Sequence, residues 1–265
     1  MGQDLIVGVE RNVGYLTLNR PEVRNALSEE IVTGLRATLT AWERDPQVRA
    51  IVLRGAGEHF MSGGDVKRFG TMAKLPPAER RALFEQRIHN LHPVLFLMRR
   101  IRKPVVASVQ GAAAGAGLSF MMACDLAIAA DTAFFTLAYV NIGASPDGGG
   151  TYLLPRTVGM KKAMEIALLG DRFDARTAQQ WGLINMVVPA AQLADETRKL
   201  AERLACGPSH AIGNAKTLLN MSLNNTMESQ LQAEAMSFAD CAATRDWAEG
   251  VAAFAEKRKP KFTGE

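Results

Sequence analysis

Two rhythms of apolar and polar residues run along this chain. Residues 5–9 and 13–19 are short, partly alternating runs separated by Glu10, Arg11 and Asn12, which predicts a β-hairpin ended by Pro21. Ile31, Leu35, Leu39 and Trp42 then recur at helical spacing behind Ser28, a side chain suited to capping a helix, and Asp45–Pro46 stops the pattern. Residues 48–53 and 105–109 read as short buried strands. Between them lie a loop over 55–70, a polar stretch with the composition of a mobile segment through Pro76–Pro77, and an amphipathic helix over 79–100 that Pro93 is expected to kink or break. A glycine-rich turn, a helix through Met122 and a strand over 125–129 follow. Beyond residue 147 extended patterns fade, with 185–188 the one short candidate, and helical spacing covers 149–164, 175–181, 192–204, 210–223, 227–241 and 245–258. Strands mixed with helices, then a run of helices, predict an α/β core over residues 1–200 and a helical region over 201–265.

Composition narrows the class. The 265 residues are 48% hydrophobic and 22% charged, so neither a disordered nor a collagen-like chain fits. Lys and Arg exceed Asp and Glu by 31 to 27, but the basic clusters at 99–103 and 257–261 are short enough to be solvated helix ends, and nucleic acid is not the expected partner. Cys124, Cys206 and Cys241 are odd in number and far apart, which argues against a disulfide framework or a zinc site and for a reducing, cytoplasmic setting. The start has neither a basic leader nor a long apolar run. The membrane-like stretch 111–130 contains Asp125, which would cost about 2.5–3.5 kcal/mol in a bilayer, so a buried helix followed by a buried strand is expected there.

Three glycine clusters carry the candidate chemistry: Gly63–Gly64, Gly111 with Gly115 and Gly117, and Gly148–Gly149–Gly150. Nucleotide fingerprints fail, because Phe60 and Phe120 occupy the third glycine position of each GxG, and no P-loop is present. No GxSxG elbow occurs, and His59, His89, His92 and His210 lack metal-ligand spacing, so no metal is expected. Each of the first two clusters follows a strand and leads towards a helix. Free backbone N–H groups from the two loops can therefore converge into an oxyanion hole, although tight βα turns would leave the same composition.

The motifs HFMSGGDVKRF, VQGAAAGAGLSFMMACDLAIAADTAFF and PDGGGTYLLPRTVG, with NRPEVRNALS near the start and EGVAAFAEKRKPKFTG near the end, resemble the enoyl-CoA hydratase/isomerase (crotonase) superfamily over residues 5–263. The resemblance implies a spiral of ββα turns with a C-terminal helical trimerisation region. It also implies an acyl-CoA thioester as substrate, with no further cofactor. It places oxyanion donors at Gly64 and Ala116, sets Arg24, Ala26, Ser62, Gly63 and Asp65 along the CoA, and lets Phe254 and Lys257 complete a neighbour's CoA site in a homotrimer or a hexamer of two trimers. Asp65 reads as chiefly structural.

The two positions where hydratases of this superfamily keep glutamates fall on Ser119 and Tyr139, neither of which is a base near neutral pH with an ordinary pKa. Both stay as substrate-side candidates, Ser119 more naturally for packing or a hydroxyl bonded back along its helix. Asp147 resembles the proton-shuttling aspartate of several enoyl- and dienoyl-CoA isomerases, and the PD-x-G-x-x-x-LLPR arrangement is most like the phenylacetate-type isomerases. A helix N-cap is the competing role for Asp147. The expected activity is acyl-CoA isomerisation, moving a double bond or opening a ring. The alternatives are an enoyl-CoA hydratase or another crotonase lyase, and, in a different class, a non-catalytic acyl-CoA- or RNA-binding protein.

Overall fold

Central strands that bury side chains on both faces organise the molecule. The computed structural model describes residues 3–265. Its strands are β1 (Leu5–Glu10), β2 (Val13–Leu18), β3 (Ala50–Gly55), β4 (Val105–Val109), β5 (Ala112–Ala114), β6 (Leu126–Ala130), β7 (Phe134–Thr136), β8 (Phe173–Asp174) and β9 (Met186–Val188). The large sheet runs β1-β2-β3-β4-β6-β9, and the small one β5-β7-β8. Only the β1–β2 hairpin, with Leu5 opposite Leu18, is antiparallel in the large sheet. Period-two alternation then sorts the central side chains. Ile51, Leu53, Val105, Ala107 and Ala129 join the main core, whereas Ala50, Val52, Val106 and Ile128 face a second, smaller core.

The helices are α1 (Glu29–Arg44), α2 (Val66–Met72), α3 (Pro77–Arg100), α4 (Ala116–Ala123), α5 (Gly150–Val158), α6 (Met160–Leu169), α7 (Ala175–Gln180), α8 (Leu193–Ala205), α9 (Ser209–Ser222), α10 (Met227–Ala242) and α11 (Arg245–Ala255). The predicted cap on α1 forms, Ser28 Oγ accepting from the Ile31 N–H at 3.1 Å, and α8 covers the second core with Leu193, Ala201 and Ala205. The chain repeatedly lays a strand in the large sheet, a strand in the small one and then a helix, as in β4-β5-α4 and β6-β7-α5. Met61 extends the small sheet by a bridge to Ala113. This is an α/β spiral of ββα turns followed by helices α9–α11.

Four expectations need correction. Pro93 does not break α3, which remains one helix while Leu91, Val94, Leu95 and Met98 are buried. Part of the segment read as loop forms α2, capped by Asp65, whose carboxylate accepts from the Arg68 N–H at 3.2 Å. The single helix over 149–164 is two, split at Gly159, which sits at φ 76°. Extended structure also recurs in β8, after residue 147, because a two-residue strand shows no periodicity. Among the described residues no helix is long and apolar enough to cross a membrane, and the three cysteines are free.

Candidate active site

The glycine loops meet where β5 hands over to α4. Gly115, at φ 53° and ψ −124°, reverses the chain into α4, whose first turn has no side-chain cap. Gly63 lies against that reversal at φ 90°: a Cβ there would sit 2.8 Å from the Ala114 carbonyl oxygen and 2.9 Å from the Ala116 nitrogen. Only glycine lets the loop over 61–65 approach so closely. The Met61 N–H bonds the Ala112 carbonyl at 3.0 Å and the Ala114 N–H returns to the Met61 carbonyl at 2.9 Å, fixing the two loops in register. The N–H groups of Gly64 and Ala116 have no backbone acceptor among the described residues, so both are available at this junction.

Asp147 stands beside it. The Tyr139 hydroxyl donates to Asp147 Oδ1 at 2.5 Å, and the Ser119 hydroxyl donates to the Asp147 backbone carbonyl at 3.0 Å. Ser119 therefore does not bond back along α4; its fully buried hydroxyl anchors a loop 28 residues further on. Asp147 does not cap α5 either. The cap position belongs to Gly149, with no side-chain bond, and positive φ at Gly148 and Gly149 turns the chain so that the carboxyl meets Tyr139. Burial raises the Asp147 pKa above the ordinary carboxylate value, opposed by the Tyr139 hydrogen bond and the nearby His92 imidazole. Burial and the Asp147 charge push the Tyr139 phenol strongly upwards, keeping it protonated.

The other candidates fall into two groups. Ser62 N–H bonds the Arg24 carbonyl at 2.9 Å, and Ser62 Oγ reaches the Val23 carbonyl at 3.3 Å, which stitches the loop over 61–65 to the loop over 20–27. Arg20 ties the same loops together: it donates to the Ala26 carbonyl at 2.8 Å and pairs with Asp65 at 3.4 Å and Asp4 at 3.5 Å. Arg24 is exposed at the rim, whereas Ala26 and Gly63 are buried. Phe254 and Lys257 form no part of this cluster. Phe254 is 87% exposed near the end of α11, and Lys257 lies just beyond that helix at φ 54°.

Sequence reasoning missed His92 and Arg20. His92 reaches the site from α3, 55 residues before Asp147, and nothing in local spacing marks it. Arg20 sits inside the NRPEVRNALS motif, where its ion pairs with Asp4 and Asp65 were not legible. His59 is structural, its Nδ1 accepting from the Ala112 N–H at 3.2 Å.

Among known proteins, the model of the enoyl-CoA hydratase/isomerase family matches residues 8–265. The 1,2-epoxyphenylacetyl-CoA isomerase of Escherichia coli is 38% identical over 264 residues, covering 100% of both chains. A probable enoyl-CoA hydratase of Rhodobacter capsulatus is 40% identical over 256 residues, covering 97% of this chain and 96% of that one. The crystal structure of an enoyl-CoA hydratase from a Polaromonas species matches with a TM-score of 0.92 at 35% identity, covering 97% of this chain and 99% of that one. With the glycine-loop junction built as described and these matches spanning nearly all its length, the chain belongs to the enoyl-CoA hydratase/isomerase family.

Proposed function

We propose that this protein is an acyl-CoA isomerase in which Asp147 is the single base and the Gly64 and Ala116 N–H groups hold the thioester oxygen. Asp147 takes a proton from the acyl chain, the two amides stabilise the resulting enolate, and the protonated carboxyl returns the proton at another carbon. The reading rests on one observation above all. Ser119 and Tyr139, which the resemblance sets at the positions of the hydratase glutamates, both spend their hydroxyls on holding Asp147. A raised carboxyl pKa makes Asp147 a stronger base once ionised. Arg24, Ala26, Ser62, Gly63 and Asp65 line the CoA in this reading, and Phe254 and Lys257 reach a neighbour's ligand. No metal or redox step is required, so chelation with EDTA is expected to leave turnover unchanged.

Proton exchange at the acyl chain in deuterated water tests the reading before the true substrate is known. Asp147→Asn keeps the shape but removes the acceptor, and exchange is expected to fall by about 10²–10⁴-fold with acyl-CoA affinity within about threefold of wild type. Exchange at the wild-type rate in Asp147→Asn would sink the reading. Hydration of a 2-enoyl-CoA faster than double-bond migration would favour the hydratase reading, which the name of the Rhodobacter capsulatus relative supports. Binding without exchange or hydration on several acyl chains would favour the non-catalytic binder.

A further inference from the structure

We propose that Tyr139 is a positioning residue: its hydroxyl holds Oδ1 of Asp147 so that Oδ2 alone takes the proton from the acyl chain and returns it. The inference rests on the Asp147 reading above. An ionised carboxylate offers two equivalent oxygens and a broad side-chain rotation, and a base in a glycine-flanked loop has little else to orient it. Here the 2.5 Å bond from Tyr139 occupies Oδ1, and Oδ2 has no hydrogen-bond partner among the described residues while not being sealed from solvent.

The phenol is itself held in place. Tyr139 opens a single 3₁₀ turn whose ends are tied by the Tyr139 N–H to the Leu137 carbonyl at 2.7 Å and by the Ala144 N–H to the Tyr139 carbonyl at 3.0 Å. Its ring also lies against the oxyanion loop, with Cζ 4.0 Å from where a Cβ on Gly115 would be. One side chain thus touches both the base and the loop that leads into the Ala116 amide. Ser119 holds the other end of the residue, at the backbone.

This arrangement has an electrostatic consequence. The groups facing Asp147 are the Tyr139 hydroxyl, the Ser119 hydroxyl and, from α3, the His92 imidazole. The Tyr139 O–H stabilises the charged carboxylate, so removing it raises the Asp147 pKa further, while Ser119 and His92 are unchanged.

The test is Tyr139→Phe in the full chain, beside wild type and Asp147→Asn. Proton-exchange kcat is expected to fall about tenfold with KM within about twofold, and the acid limb of kcat/KM to move to higher pH. Carbon-13 NMR of carboxyl-labelled aspartates, with the Asp147 signal assigned by its loss in Asp147→Asn, reads the same upward shift without turnover. An unmoved acid limb and an unmoved Asp147 titration would overturn the proposal, whether or not kcat fell, because packing loss alone moves neither. If Asp147→Asn lost exchange while Tyr139→Phe matched wild type in every readout, only the Tyr139 role would fail. Wild-type exchange in Asp147→Asn would remove the underlying reading, and this inference with it.

Discussion

A single methyl group at residue 63 distinguishes the two purposes of the glycine loops. In Gly63→Ala the new Cβ would press on the Ala114 carbonyl and the Ala116 amide from a φ of 90°, a conformation that costs a non-glycine residue about 1–3 kcal/mol. Proton exchange is expected to drop at least tenfold, since the Ala116 donor must shift, and thermal melting should show the accompanying loss of stability. Gly70→Ala is the control. It lies in α2 with nothing within 4 Å of its added Cβ, so melting should hold or rise slightly and exchange should not change. Equal exchange in Gly63→Ala and wild type would mean that the loops are ordinary turns. At this scale the motifs singled out Gly64, Ala116 and Asp147 as candidates, because each lies within a few residues of its signature. The orientation of Asp147 was not legible: it depends on Tyr139 across a 3₁₀ turn and on Ser119 from another helix.

Elements were legible where they carry caps and long periods, and illegible where tertiary contacts make them. Ser28 and the 31-35-39-42 stripe suffice for α1, whereas β5, β7 and β8 are two or three residues each and exist only because they pair with one another. The break that Pro93 could have made does not occur, since α3 runs through it with Leu91, Val94, Leu95 and Met98 buried. Asp125, which looked anomalous in an apolar run, is explained 91 residues later. Lys216 on α9 meets Asp125 Oδ2 at 2.7 Å and donates to the carbonyls of Met98 at 2.8 Å and Lys103 at 3.1 Å. The same Asp125 oxygen accepts the Val105 N–H at 2.7 Å. This clasp fastens α9 to the core sheet. Lys216→Met should therefore destabilise the fold by about 3–5 kcal/mol in chemical denaturation, chiefly because it leaves a buried carboxylate unpaired. Asp125→Asn added to Lys216→Met removes that charge and should recover part of the loss. If the double variant were no more stable than Lys216→Met alone, the unpaired charge would not be the cause.

The whole molecule leaves an apolar surface that one chain does not cover. No residue of α10 is buried, and Met227, Leu231 and Phe238 recur along it at helical spacing, all more than half exposed. Leu219 on α9 and Leu223 just past its end are also exposed, while Leu218 is half-buried. Met160, Met164, Leu168 and Leu169 form a second exposed group on α6. Contiguous patches of this kind mark association surfaces, and closed symmetric assemblies are the common way to bury them. We expect light scattering at micromolar concentration to give a mass of three or six chains. Leu231→Glu with Phe238→Glu puts two charges into the layer and should release monomers. The exposed Phe254 makes the assembly consequential for binding as well. If Phe254 and Lys257 reach a neighbour's ligand, the dissociated variant should bind acyl-CoA at least tenfold more weakly, although Asp147, Gly64 and Ala116 are untouched. Dilution of wild type through its dissociation range should weaken binding in parallel. A wild-type monomer at micromolar concentration would refute the assembly, and undiminished affinity in the dissociated variant would confine the site to one chain.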